Sequence, residues 1–192
     1  MIRSVFTRFL HALLAAAIVH QLVTSLLLEE PRSRRIVENA PFELHETIGL
    51  ASLGLVTLFW LWTIVRRREH SLGDLFPWLS SVRVRSVMGD LRVHARELVR
   101  FRLPSPSEKT PLASAVHGLG LLVATLMAAS GTAVYVFMPA DGALTTNMKI
   151  ALTVHGAAGN LMWAYLIAHA AIGLAHEMAG HKVVRRMFAG MN

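Results

Sequence analysis

Ile150–His176 reads IALTVHGAAGNLMWAYLIAHAAIGLAH and holds no Asp, Glu, Lys or Arg, yet it carries three histidines: His155, His169 and His176. A helix needs roughly 20 residues to cross a hydrocarbon layer of about 30 Å, so this stretch is long enough to span one. A polar side chain inside such a layer is costly and is kept for a purpose. Neutral imidazole is also a good ligand for iron. His155 and His169 lie 14 residues apart. At about 100° and 1.5 Å per residue they share a helix face and stand roughly 21 Å apart along it. One metal ion cannot bridge that distance, but two stacked sites can use it.

Three more uncharged stretches precede it: Phe9–Leu28, Thr47–Val65 and Thr110–Ala140. The chain of 192 residues is 54% hydrophobic with a mean hydropathy of +0.47. That is too apolar for an ordinary soluble domain of this size. The expected fold is an all-α membrane protein, a four-transmembrane-helix bundle with room for one large loop. Its spans are expected at about 4–28, 42–65, 111–138 and 147–178, within a single membrane domain covering 1–192. Glu29-Glu30-Pro31 stops the first helix, because proline cannot continue the hydrogen-bond ladder. Pro41 is tolerated in the first turn of the second. Asp141-Gly142 makes a turn, and Gly180 ends the fourth helix.

The first span has the basic start of a signal peptide (Arg3, Arg8) but a longer apolar centre and no A-x-A cleavage site, so it is expected to be retained. Cysteine is absent, which excludes disulfides, thiolate metal sites, iron–sulfur clusters and covalent haem attachment. The net charge is +7. Of 19 Lys and Arg, only Arg32, Arg34, Arg35 and Lys149 fall in the two loops that share one side of the membrane. The rest lie in the N-terminus, the loop 66–110 and the C-terminus. The positive-inside rule therefore places both termini and that loop in the cytoplasm. Within the loop, Ser81–Phe101 reads as an amphipathic helix. Val84, Val87, Met88, Leu91, His94, Leu98 and Phe101 form its apolar stripe, and Arg83, Arg85, Arg92, Arg96 and Arg100 face anionic headgroups. Leu103–Ser107 is a stiff Pro-Ser connector. No aromatic interleaving accompanies the basic residues, so membrane lipid is the expected partner and nucleic acid is not.

Ten histidines are present. His70, His94 and His181 lie outside the spans. His45 and His155 match in depth at one membrane face, and His11 and His169 match at the other. Two imidazoles opposed at one depth are the ligand set of a bis-histidine haem b, an electron shuttle with both axial positions filled. A flat macrocycle lying on a helix beside its ligand needs the next turn to be bare. Residue i+4 is Gly49 after His45, Gly159 after His155, Gly173 after His169 and Ala15 after His11. Plain helix packing in membranes also selects small residues. His20 faces away from His11 and is expected to hydrogen-bond a neighbour. His117 and His176 are candidate contacts for a haem propionate or a quinone carbonyl. His176-Glu-Met-Ala-Gly-His181 is not the zinc motif H-E-x-x-H. Its histidines are five apart, about 140° around a helix, so they are expected to diverge.

His11, His45 and the run His155-Gly-Ala-Ala-Gly-Asn-Leu-…-His169-Ala-Ala-Ile-Gly-Leu-Ala-His176, followed by Arg185-Arg186-Met187-Phe188, resemble the bacterial cytochrome b561 family. That family includes the b-type cytochrome subunits of nickel-iron hydrogenases, and the likeness covers nearly the whole chain. The resemblance implies two haem b groups with His11, His45, His155 and His169 as axial ligands. It also implies electron exchange with the quinone pool, ubiquinone or menaquinone. His176 matches a position linked to quinone contact, and a quinone site is expected among His176, Arg185 and the start of the first helix. Within the family some members stand alone as superoxide:quinone oxidoreductases. Others relay electrons for a hydrogenase, a dehydrogenase or a soluble cytochrome. Two other classes are a histidine-lined metal or ion transporter, which would need acidic residues inside the spans where only Glu46 is near, and a membrane anchor for a partner protein.

Overall fold

A computed structural model describes residues 4–28, 39–66, 71–100, 102–104 and 110–188. Arg3, the Glu29-Glu30-Pro31 stop, Arg32, Arg34, Arg35, Arg67, Arg68, His70, Phe101 and Ser105–Ser107 of the connector lie outside the described residues. The described chain is helical, with four helices long and apolar enough to cross a membrane: α1 (Val5–Ser25), α2 (Ala40–Val65), α5 (Pro111–Phe137) and α6 (Thr146–Met178). The segment between α2 and α5 forms the short α3 (Leu72–Leu75), a 3-10 turn at Pro77–Leu79 and α4 (Ser81–Val99). Helix α7 (Val183–Phe188) follows α6.

The ends of these helices follow from local chemistry. Asn39 Oδ1 accepts from the amide of Phe42 at 3.1 Å, so α2 begins just ahead of Pro41. Ser71 and Ser80 cap α3 and α4 in the same way. The first turn of α5 is capped twice. Thr110 Oγ1 accepts from Ala113 N at 3.2 Å, and Asp90 of α4 reaches across to accept from Leu112 N at 3.0 Å. That carboxylate ties the amphipathic helix to the start of a span. Helix α6 ends on Gly180 at φ +82°, a left-handed position that glycine adopts without strain. There the amide of His181 bonds to the carbonyl of His176, and the amide of Gly180 to that of Glu177, each at 3.0 Å. This is the Schellman arrangement.

The four long helices contribute to two compact units, one made of residues 10–59 and 122–165, the other of 1–9, 60–121 and 166–192. In the first, Leu10, Leu22, Val56, Val123, Ala124, Ala158 and Met162 are buried. In the second, Thr7 is 0% exposed. Its hydroxyl receives hydrogen bonds from Trp62 Nε1 at 2.9 Å and Arg66 Nη1 at 3.1 Å. Trp60 stacks on Phe76 with ring centres 5.2 Å apart. Gly118 of α5 lies against the backbone carbonyl of Leu75, so close that a Cβ there would collide with it. Side chains such as Ile167, Ile172 and Leu174 on α6 are more than half exposed. A water-soluble protein does not present so continuous an apolar surface, whereas a lipid-facing helix does.

Candidate functional site

In the unit of residues 10–59 and 122–165, the rings of His45 on α2 and His155 on α6 have centres 6.2 Å apart and planes at 79°. A metal sits about 2 Å from a coordinating imidazole nitrogen, so two opposed ligands of one ion have rings centred roughly 6 Å apart. Each ring is held by a hydroxyl from a third and a fourth helix. Thr24 Oγ1 on α1 lies 3.0 Å from His45 Nδ1, and Ser130 Oγ on α5 lies 3.0 Å from His155 Nδ1. Gln21 also donates to the carbonyl of His45 at 2.9 Å, fixing the first turns of α2 against α1.

Both histidines line a cavity of about 950 Å³, part of it open to the outside. Leu14, Leu22, Leu50, Val56, Met127 and Leu152 make most of its wall apolar, and Gln21 and Glu46 also line it. Gly49 and Gly131 also line it. Gly131 is the tight point. A Cβ added there would stand 3.0 Å from His155 Cε1, so the imidazole lies on bare α5 backbone. Beside Gly159 and Gly173, by contrast, an added Cβ would meet nothing within 4 Å. His20 belongs to this unit too. Its Nδ1 is buried and has no hydrogen-bond partner among the described residues, so the bond expected of it is not found.

His11 and His169 fall in different units. Within its own unit, the ring of His169 has His117 as a neighbour at 5.5 Å and 82°. His117 donates Nδ1–H to the carbonyl of Ala113 at 2.6 Å, since a carbonyl can only accept.

The C-terminal corner differs from the sequence expectation in one respect. His176 and His181 do not diverge. Their Nδ1 atoms are 2.9 Å apart, with ring centres at 5.2 Å. The 140° argument assumed a continuous helix, but the Gly180 turn comes between them and folds His181 back. The zinc-protease motif is still absent, because its geometry needs both histidines on one helix. Arg185 is engaged by Glu177, Nε to Oε1 at 2.9 Å, while Glu177 Oε2 accepts from the amide of Val184 at 2.9 Å. Among the described residues, no three His, Cys, Asp or Glu side chains converge as they would around a bare metal ion.

Thr24, Ser130 and Gly131 carry no local signal in the sequence. Each matters only through a histidine on another helix, more than 20 residues away.

A family model described as prokaryotic cytochrome b561 matches residues 2–190. No curated protein and no solved structure matches the chain. With four apolar helices and opposed imidazoles, the chain belongs to the prokaryotic cytochrome b561 family, inner-membrane b-type cytochromes that bind haem b and transfer electrons.

Proposed function

We propose that this protein carries two haem b groups and moves electrons across the inner membrane, exchanging them with the quinone pool. The observation that carries the proposal is the His45–His155 pair: two imidazoles with centres 6.2 Å apart on the wall of one apolar cavity. The residues present fit a haem. The paired donors are imidazole nitrogens, the wall is mostly aliphatic with Glu46 its one acidic member among the described lining residues, and a glycine stands one turn after each histidine. When bound, haem b supplies a one-electron carrier whose potential the surrounding protein tunes. The chain's own residues do the rest. His45 and His155 would hold the iron of one group from opposite sides. Gly49 and Gly131 would leave room beside the two rings, and the aliphatic side chains would limit the approach of water. His11 and His169 would hold the second group, by the family resemblance and the roughly 21 Å spacing of His155 and His169 along α6.

The excess of basic residues in 66–110 and at both ends supports a cytoplasmic location for those segments. His176, Arg185 and the start of α1 form the proposed cytoplasmic quinone contact. In support, Arg8 on α1 reaches the carbonyl of Arg186 at 3.4 Å, so α1 and the C-terminal corner meet. The electron donor is a hydrogenase, a dehydrogenase, a soluble cytochrome or superoxide itself.

A pyridine haemochrome assay on the purified protein tests the proposal. Two haem b per chain are expected, falling to one in His45→Ala and in His155→Ala. A wild-type protein with no haem, or single variants with full haem content, would refute it.

A further inference from the structure

The two opposed histidines are held by the same device, built twice from different helices. A hydroxyl has one proton to give. Thr24 Oγ1 gives its proton to the carbonyl of His20 at 2.9 Å, one turn back on α1. Ser130 Oγ gives its proton to the carbonyl of Leu126 at 2.7 Å, one turn back on α5. In each case the proton is committed within the helix, so the oxygen meets the neighbouring imidazole with a lone pair. The bond to His45 Nδ1 and the bond to His155 Nδ1 must then be donated by the ring. A neutral imidazole protonated on Nδ1 has its free electron pair on Nε2. Two separate hydroxyls thus impose the same tautomer on both rings, leaving the far nitrogen of each as the ligand atom.

The kind of acceptor also matters. A carboxylate at Nδ1 would draw the ring toward imidazolate and make it a strong donor to iron. A hydroxyl is a weaker acceptor, though one strengthened by its own donated bond. Neighbours of a metal-ligating histidine orient it and set its basicity.

We infer that Thr24 and Ser130 are positioning residues for one haem b: they lock His45 and His155 in the Nδ1–H tautomer, present both Nε2 atoms to the iron, and help set its potential. The inference rests on the proposed ligation by His45 and His155. Removing either acceptor makes its imidazole a poorer donor, which disfavours the ferric state.

The test uses the haem-loaded protein and three variants: Thr24→Val, Ser130→Ala and Thr24→Ser. Haem content, a redox titration followed in the visible band, and the low-spin electron paramagnetic resonance spectrum are recorded for each. In Thr24→Val and Ser130→Ala, one of the two haems should shift toward the ferrous form by roughly tenfold in its equilibrium constant, about 59 mV for one electron, with its g values displaced. The other haem should not move, and Thr24→Ser should restore wild-type behaviour. Loss of that one haem in Thr24→Val, with recovery in Thr24→Ser, would support the same conclusion. The two sites are independent, so a variant that fails to accumulate leaves the other to decide. Unchanged midpoints and g values in a loaded Val or Ala variant would overturn the inference while leaving the ligation intact. So would a Thr24→Ser protein shifted as far as Thr24→Val. Full haem content in His45→Ala and His155→Ala would instead overturn the ligation, and the inference with it.

Discussion

Replacing Gly131 with alanine should weaken cofactor binding without weakening the helix that bears it. The added Cβ would stand 3.0 Å from His155 Cε1, 3.5 Å from Nδ1 and 3.7 Å from Nε2. Carbon atoms pack best at about 3.5–4.0 Å, so the ring must retreat by roughly 0.5 Å. Its bond to Ser130 Oγ is already 3.0 Å long. The same retreat would stretch that bond to the edge of a useful hydrogen bond, a loss of about 1 kcal/mol. Overpacking costs about 1 kcal/mol more at its mild end. Together these give about 2 kcal/mol against the ligand geometry, or roughly 30-fold in haem affinity. The haem-free helix gains in the opposite direction, because alanine is about 0.8–1.0 kcal/mol better than glycine in a helix interior. Haem-to-protein ratio and midpoint report the first effect, and thermal melting of the haem-free protein in detergent reports the second. Gly54→Ala, where a Cβ meets nothing within 4 Å, is the control. A Gly131→Ala protein with wild-type haem affinity and midpoint would refute the reasoning, because His155 would then not be the ligand held on α5.

Three further outcomes are expected. In Gly118→Ala the new Cβ meets the backbone carbonyl of Leu75, which cannot swing aside as a side chain can. α3 should detach at a cost of about 3 kcal/mol, read as faster limited proteolysis between residues 66 and 80 and a lower melting temperature. Thr7→Val removes the acceptor for both Trp62 Nε1 and Arg66 Nη1. It should cost about 1–3 kcal/mol, chiefly from the Trp62 indole N–H, with a shift in tryptophan emission; unchanged stability and emission would count against the Thr7 hub. Asp90→Ala removes the carboxylate over Leu112 N. It should cost about 1 kcal/mol and speed amide exchange in α4 and in the first turn of α5 but not in the middle of α6.

The membrane fold was legible because bilayer thickness imposes a length and an absence of charge that single residues report directly. Phe9–Leu28 and Thr47–Val65 need no partner to be read as spans. The amphipathic helix was legible for a similar reason, since the spacing of Val84, Val87, Leu91 and Leu98 is a property of one segment. Histidine depth could also be read along each helix, and the rings of His45 and His155 do lie side by side. What holds those rings could not be read. Serine and threonine are common in membrane helices, and nothing in the sequence around Ser130 distinguishes it from Thr132, which donates to the Ala128 carbonyl of its own helix. Rotation about the helix axis decides which of them meets His155, and that rotation comes from packing. His181 was misjudged for the opposite reason: a rule valid inside a helix was carried past Gly180, where the helix stops.

Thr24, His45, Ser130 and His155 come from α1, α2, α5 and α6, the first to the last of the long helices. A nascent chain that has released only its early segments therefore offers no complete ligand cradle. If His45 and His155 hold the cofactor as proposed, loading waits until the final helix has left the translocon and docked, and a chain arrested before α6 would emerge colourless however well its first three helices had inserted.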